Sequence, residues 1–315
     1  SLNSFTSVSV KDNYVVSQYK EHVKEYKNAT NSKKKKQLLK DIENDKNNLK
    51  GFIISKSELE LKLKALKEEY HQKYESQTLD IEMSPEQKIV HKEKQHKLMN
   101  EIGKIAVEIN KIKELIEDKN KLEWRFEFPE VLDDFGNFLG FDIVIGNPPY
   151  IQLQKEGGKL AKLFENQKFE TFARTGDIYA LFYEKGLQIL KNNGLLSYIT
   201  SNKWMRAGYG EKLRKFFLKY NPLLLIDLGP GVFENATVDT NILVLQKSQT
   251  NNIKLNAVTL QKENGSFNIP KQVNERAVVL EKLTNDVWFI GSSAEQRLKE
   301  KIERLGKPLK DWDVN

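Results

Sequence analysis

Four consecutive residues, Asn147-Pro148-Pro149-Tyr150, combine a side-chain amide, a stiff backbone and a flat phenol. The Asn147 amide oxygen accepts hydrogen bonds without carrying charge. Pro149 removes a backbone donor, and two successive prolines fix φ, so groups in this turn stay where the fold puts them. Tyr150 offers an aromatic face on which a planar ring can stack. The chemistry such a quartet suits is hydrogen bonding to an amino nitrogen beside a stacked ring. Two plainer readings compete: a rigid strand-to-helix turn and a proline-rich ligand for a small recognition domain. The second fits poorly, because the apolar run 141–145 (FDIVI) and Gly146 lead straight into the quartet, placing it at a core strand's carboxyl end.

Composition narrows the remaining options. With no cysteine among 315 residues, disulfide frameworks and thiolate metal sites are excluded. The four histidines, His22, His71, His91 and His96, lie in Lys/Glu-rich stretches and do not suggest a metal cluster. A formal net charge of +7 permits a polyanionic partner. No apolar run approaches the length of a membrane span, and the first residues lack a signal-peptide pattern, so the expected location is cytoplasmic.

The elements that must position the quartet fall into two grammars. The first 123 residues hold one proline, Pro85, and are dense in Lys, Glu and Asn. Ser57-Glu58-Leu59-Glu60 and Ser84-Pro85-Glu86-Gln87 read as capping boxes. Behind them Leu59, Leu63, Leu66 and Tyr70, then Leu98, Ile102, Ile105, Ile109, Ile112 and Ile116, recur at alternating steps of three and four. That is a heptad seam, and it predicts an antiparallel coiled-coil arm over 57–120 with its turn at 76–83. Val16, Tyr19, Val23 and Tyr26, then Leu39, Ile42 and Leu49, predict two earlier amphipathic helices. The lysine run 33–36 reads as a solvated helix face.

From Trp124 onward, short apolar runs alternate with helical patterns. Strands are expected at 141–145, 195–200, 223–228, 241–245 and 253–260, with helices at 177–191, 210–220 and 293–305. This alternation predicts an α/β, largely parallel, doubly wound sheet, whose ligands bind beyond the strands' carboxyl ends. The expected organisation is a helical arm over 1–123, a catalytic half over 124–250 and a link over 251–315.

The segment 124–152, WRFEFPEVLDDFGNFLGFDIVIGNPPYIQ, resembles the adenine-specific amino-methyltransferases of DNA found in fused type II restriction–modification enzymes. Their hallmark is [N/D/S]-P-P-[Y/F] after a hydrophobic strand. The likeness continues through 175–205 and 223–247 and covers about 124–315. It implies the C-terminal half of a doubly wound S-adenosylmethionine-dependent methyltransferase sheet. The implied reaction moves a methyl group from S-adenosylmethionine to N6 of an adenine flipped out of double-stranded DNA. Asn147 and the Pro148 carbonyl would accept from the two amino N–H bonds, freeing a lone pair otherwise delocalised into the ring. Pro149 stiffens that frame, and Tyr150 stacks on the extruded base. Without a cysteine thiolate, methylation of a cytosine ring carbon is ruled out.

The resemblance also places Phe182 where family members pack on the adenine of S-adenosylmethionine, though an amphipathic-helix core explains Phe182 equally well. Leu245 stands where relatives carry a second base-stacking aromatic, which leaves either an aliphatic wall or Phe233 to oppose Tyr150. Lys203 and Arg206 follow a strand end and are candidates for DNA phosphate, or else ordinary surface charge. A Gly-rich F-x-G-x-G turn is not found: Gly208-Tyr209-Gly210 follows no first-strand pattern, and Gly229-Pro230-Gly231 comes too late in the fold. The sequence therefore reads as a partial chain that binds cofactor weakly and catalyses poorly alone. Two alternatives stay open. One is a non-catalytic DNA- or protein-interaction module on a methyltransferase-like sheet; the other is methylation of RNA or a protein amide.

Overall fold

A computed structural model describes residues 12–55, 57–75, 84–117, 122–233, 238–263 and 266–307. It divides into two compact units, 1–139 and 140–315. Among the described residues no helix is long and apolar enough to cross a membrane.

In the first unit, α1 (Asp12–Asn28) and α2 (Ser32–Ser55) form an antiparallel pair. The turn between them closes with Asn31, whose Oδ1 accepts from the Lys33 and Lys34 amides at 2.8 and 3.2 Å, a capping role typical of Asn. Val16, Tyr19, Leu49 and Ile53 make the seam. On α2, Leu49 and Ile42 pack in the seam as expected and one position departs. Leu38 is buried and Leu39 is 49% exposed, because the buried row runs Leu38, Asp45, Leu49 and Ile53. The single polar member of that row, Asp45, is satisfied by His22 Nδ1 at 2.6 Å. Phe126 and Leu132, from further along the chain, close this seam.

Helices α3 (Glu58–Tyr70) and α4 (Pro85–Glu117) pack on Leu63, Ile105 and Ile109, flanked by Leu59, Leu66 and Ile102. Glu60 meets Lys113 at 3.3 Å while Tyr70 meets Gln95 at 3.0 Å, so the pair is antiparallel as the seam requires. A single π-helical turn, His71–Glu75, extends α3; the expected turn at 76–83 lies outside the described residues. The Ser84 box is complete, with Ser84 N donating to Gln87 Oε1 and Gln87 N to Ser84 Oγ. At Ser57 the side chain accepts from Glu60 N. Beyond the arm, α5 (Trp124–Glu127) and a 3-10 turn, Pro129–Val131, belong to this first unit rather than to the sheet. Tyr19 Oη donates to the Phe126 carbonyl at 2.6 Å, and Lys20 Nζ to that of Leu132 at 2.8 Å.

The second unit is a six-stranded mixed sheet. Its elements in chain order are β1 (Phe141–Gly146), α6 (Lys155–Glu165), α7 (Tyr179–Ile189), β2 (Leu190–Ser201), α8 (Glu211–Phe217), β3 (Asn221–Gly229), β4 (Thr240–Gln246), β5 (Leu255–Thr259), α9 (Ile269–Arg276), β6 (Val278–Leu280) and α10 (Ser293–Leu305). The spatial order is β1-β2-β4-β3-β5-β6. β1, β2, β3 and β5 share one direction, while β4 and β6 run against them. The largely parallel expectation thus holds for four strands. Among the described residues between β3 and β4 there is no helix to serve as the crossover that a parallel neighbour would need, and β4 runs antiparallel.

One sheet face packs on α7 and α8 through Tyr183, Leu187, Leu196, Trp204, Phe217, Leu225, Leu243 and Trp288. The other is covered over β3 and β5 by Ile269, Val273 and Ala277 of and beside α9. The run FDIVI, read as a buried strand, is an edge strand instead: Ile143 is 62% and Ile145 80% exposed. Among the described residues it pairs with β2 on one side only. The helix expected over 177–191 is shorter, because the chain turns directly into β2 at Leu190. Gly186 makes this contact feasible. A Cβ there would lie 2.4 Å from Leu196 Cδ1 and 2.8 Å from Tyr198 Oη, so only glycine lets α7 sit this close to the sheet.

Candidate functional site

Because four strands point the same way, their carboxyl ends and the following turns gather along one rim. β1 ends at Gly146, opposite Tyr198 of β2. Asn147 is exposed, Pro148 buried, Pro149 exposed and Tyr150 half-buried. Among the described residues no hydrogen bond engages the Asn147 side chain or the Pro148 carbonyl, and Asn147 is the exposed one of the two. Tyr150 is held at its tip, where Oη donates to the Ile199 carbonyl at 3.1 Å. Its ring meets Tyr179 edge-on at 6.2 Å and lies 6.5 Å from Phe233 at a 58° tilt. Burial, and secondarily the Asp177 charge, pushes the Tyr150 phenol up to about 12, so it stays neutral and a donor at ordinary pH.

The turn's exit is laced to the segment before α7. Ile151 N donates to Asp177 Oδ1 at 2.8 Å, Ile178 N to the Ile151 carbonyl at 2.9 Å, and Leu153 N to the Gly176 carbonyl at 2.9 Å. Burial raises Asp177 above the usual carboxylate range, partly opposed by the amides of Ile151 and Tyr179. Tyr179 itself is pushed far up by burial and shares a hydroxyl contact of 3.3 Å with Tyr209.

Phe182 is 39% exposed while its α7 neighbours Leu181 and Tyr183 are buried, so it is not a plain core residue. Phe233 lies beside Tyr150 on the turn after β3. Leu245 cannot form an aliphatic wall for a ligand: it is fully buried, pairs with Leu196, and so lies below the rim. Its antiparallel strand carries the rim residues Thr240 and Asn241 at the opposite end. Lys203 and Arg206 are exposed on and after the 3-10 turn Asn202–Met205, without an ion pair among the described residues. A buried guanidinium fixes that turn: Arg214 Nη1 donates to the Ala207 carbonyl at 3.0 Å and Nε to that of Asn285 at 2.8 Å.

Sequence reasoning missed Asp177, Tyr179 and Tyr209, and also a polar row just under the rim. Thr200, Asn241 and Asp227 are in register across β2, β4 and β3. Asn241 Oδ1 accepts from Thr200 Oγ1 and Trp204 Nε1, both at 3.1 Å, and Tyr183 Oη then donates to Thr200 Oγ1. Asn202 Nδ2 donates to Asp227 Oδ1 at 2.9 Å. The available signal was polar residues terminating apolar strands, as in LLSYITS and LLLIDL. The position of Asp177 before the α7 pattern was also a capping signal.

The family model described as Eco57I restriction-modification methylase matches residues 6–233. The Type II restriction enzyme and methyltransferase RM.Eco57I of Escherichia coli is 32% identical over 179 residues, 53% of this chain and 17% of its own length. The Type II methyltransferase M.BstVI of Geobacillus stearothermophilus is 32% identical over 105 residues, 33% of this chain and 18% of its own. This chain thus spans under a fifth of either relative. Among solved structures, a nuclease-deletion mutant of the Type ISP restriction-modification enzyme LlaGI in complex with a DNA substrate mimic aligns at a TM-score of 0.39. That alignment has 17% identity and covers 46% of this chain and 15% of the other. With a match across most of its length, the chain belongs to the Eco57I restriction-modification methylase family.

Proposed function

We propose that this chain carries the target-base part of a site-specific DNA methyltransferase acting on adenine N6 within a restriction–modification system. The observation that carries this reading is the state of the Asn147-Pro148-Pro149-Tyr150 turn. Neither of its two acceptors is hydrogen-bonded among the described residues, while its aromatic ring is anchored from behind by Ile199. An adenine swung out of the duplex stacks on Tyr150, offsetting part of an unstacking penalty of a few kcal/mol. Asn147 Oδ1 and the Pro148 carbonyl take its two amino N–H bonds and draw the nitrogen towards a tetrahedral shape with a free lone pair. Phe233 stands opposite Tyr150 as the second wall of the base site. Lys203 and Arg206, exposed on the same rim, hold phosphate and so orient the duplex.

The donor implied by the family, S-adenosylmethionine, supplies an electrophilic methyl group when bound. The residues present suit part of it: Phe182 offers a flat apolar face to its adenine and Asn147 borders the reacting centre. No step requires a covalent intermediate on the protein, and alignment supplies much of the rate.

The test is transfer of tritiated methyl groups to duplex DNA by the full-length protein carrying this sequence, with the product nucleoside identified by mass spectrometry. N6-methyladenosine in its deoxy form is expected. N4-methylcytosine would overturn the adenine assignment, label in RNA or a protein amide would move the substrate class, and DNA binding without transfer would favour a scaffold.

A further inference from the structure

Building on that reading, we propose that Asp177 is a positioning residue that sets the Tyr150 turn by holding the backbone immediately after it. The two prolines stiffen the turn on its upstream side, so the freedom left lies at the junction of Tyr150 and Ile151. Asp177 closes that junction: its buried Oδ1 accepts the Ile151 N–H at 2.8 Å and the Tyr179 N–H at 3.4 Å. A bridge between Gln152 and Asp177 continues the lacing, and Ile178 N donates back to the Ile151 carbonyl. Tyr150 is thereby held at both ends, by Ile199 at its hydroxyl and by Asp177 through the next amide.

A carboxylate buried here has no ion-pair partner among the described residues, so charge pairing does not explain it. What it faces is the amide of Tyr179, the first residue of α7, and the amide of the turn it fixes. The residue two places on, Tyr179, meets the Tyr150 ring edge-on. One side chain therefore registers the acceptor turn, the stacking ring and the helix that carries Phe182.

The experiment compares Asp177→Ala with Asp177→Asn in the full-length protein, reading methyl transfer, duplex affinity and amide hydrogen exchange at Ile151. Misplacing reacting groups by about 1 Å costs up to roughly a hundredfold in rate. Asp177→Ala is therefore expected to lower kcat by about ten- to a hundredfold at unchanged duplex KM, and to unprotect the Ile151 amide. Asp177→Asn keeps an oxygen for the same two N–H groups and is expected to restore most turnover and the protection. An Ile151 amide that stays protected in Asp177→Ala overturns the proposal, as does wild-type kcat in that variant or equal impairment of both variants. If Asp177→Ala does not fold, Asp177→Glu, which moves the acceptor by one methylene, is read the same way. A wild-type protein that transfers no methyl group defeats the methyltransferase reading, while the exchange measurement still decides the clamp.

Discussion

The two units treat buried polar groups in opposite ways. In the helical unit the α3–α4 seam is built from Leu and Ile with Ala106, and the α1–α2 seam admits one acid, Asp45, at once matched by His22. Charges elsewhere on these helices lie outside, many in exposed pairs such as Lys62–Glu101 and Lys73–Glu69, which contribute little to stability. In the sheet unit, Thr200, Ser201, Asp227, Thr240 and Asn241 are buried at the rim ends of their strands and Asp177 in the loop laced to the turn after β1. Thr171, Glu184, Arg214 and Gln272 are buried elsewhere. Thr240 Oγ1 and Asn241 Nδ2 even lack a partner among the described residues. Groups of this kind are expensive to bury, so their concentration at one edge marks where the fold has been shaped for something other than stability. A repeating apolar seam, by contrast, needs only period and volume.

That contrast is broken or sharpened most directly by a charge in the seam. Ile109 is 3% exposed, between Leu63 and Ile105. Asp in its place has no partner, and the expected loss is at least roughly 4 kcal/mol. Urea titration followed by circular dichroism reads it, with methyl transfer in the folded fraction unchanged. A variant as stable as wild type would mean that the α3–α4 seam is not a core.

Next in size is Asn147→Ala. It lies exposed at the rim, so stability should move by less than about 0.5 kcal/mol. Losing one well-placed acceptor typically costs about a hundred- to a thousandfold in kcat. Duplex affinity, set mainly by phosphate contacts, should stay near wild type. Normal turnover by this variant would remove the proposed chemistry. Tyr150→Ala is smaller and different in kind. It should weaken capture of an extruded base by about 1–3 kcal/mol while leaving some turnover, measured by 2-aminopurine fluorescence at the target position.

The contrast also explains what could be read without coordinates. The Leu59/Leu63/Leu66 seam, the Ser84 box and the placement of Asn147 at a strand end are local patterns, and each was legible. The error at Leu39 arose because adjacent leucines leave helix phase undecided until a partner surface is known. β6 has three residues and α9 eight, too short for a period to show. Leu245 and the Asp177 clamp are matters of which strand end and which loop meet, and those depend on β4 running backwards and on contacts 26 residues apart. Gly186 carries no local signal of its role, and only Leu196 and Tyr198 reveal it as a point of close approach.

The smallest expected effect concerns the stability cost of the rim itself. Burial raises the Asp177 pKa, so the folded protein holds this proton more tightly than the unfolded chain does. The charged and titratable groups around it are Lys155, whose attraction is minor, and the phenols of Tyr150, Tyr179 and Tyr209, all pushed up and neutral at ordinary pH. For a group whose folded pKa lies above its unfolded value, stability is fully present below the unfolded pKa and lost as pH rises through the folded one. Wild type therefore carries a penalty at neutral pH that Asp177→Asn does not, since the amide is uncharged and still accepts from Ile151. The variant should melt slightly higher than wild type at pH 7, and the difference should shrink as pH falls into the carboxylate range. Thermal denaturation of both proteins across that window reads the sign. A lower melting temperature for Asp177→Asn at pH 7 would show that the carboxylate stabilises this edge, and that here, at least, the rim is built like the helical seams.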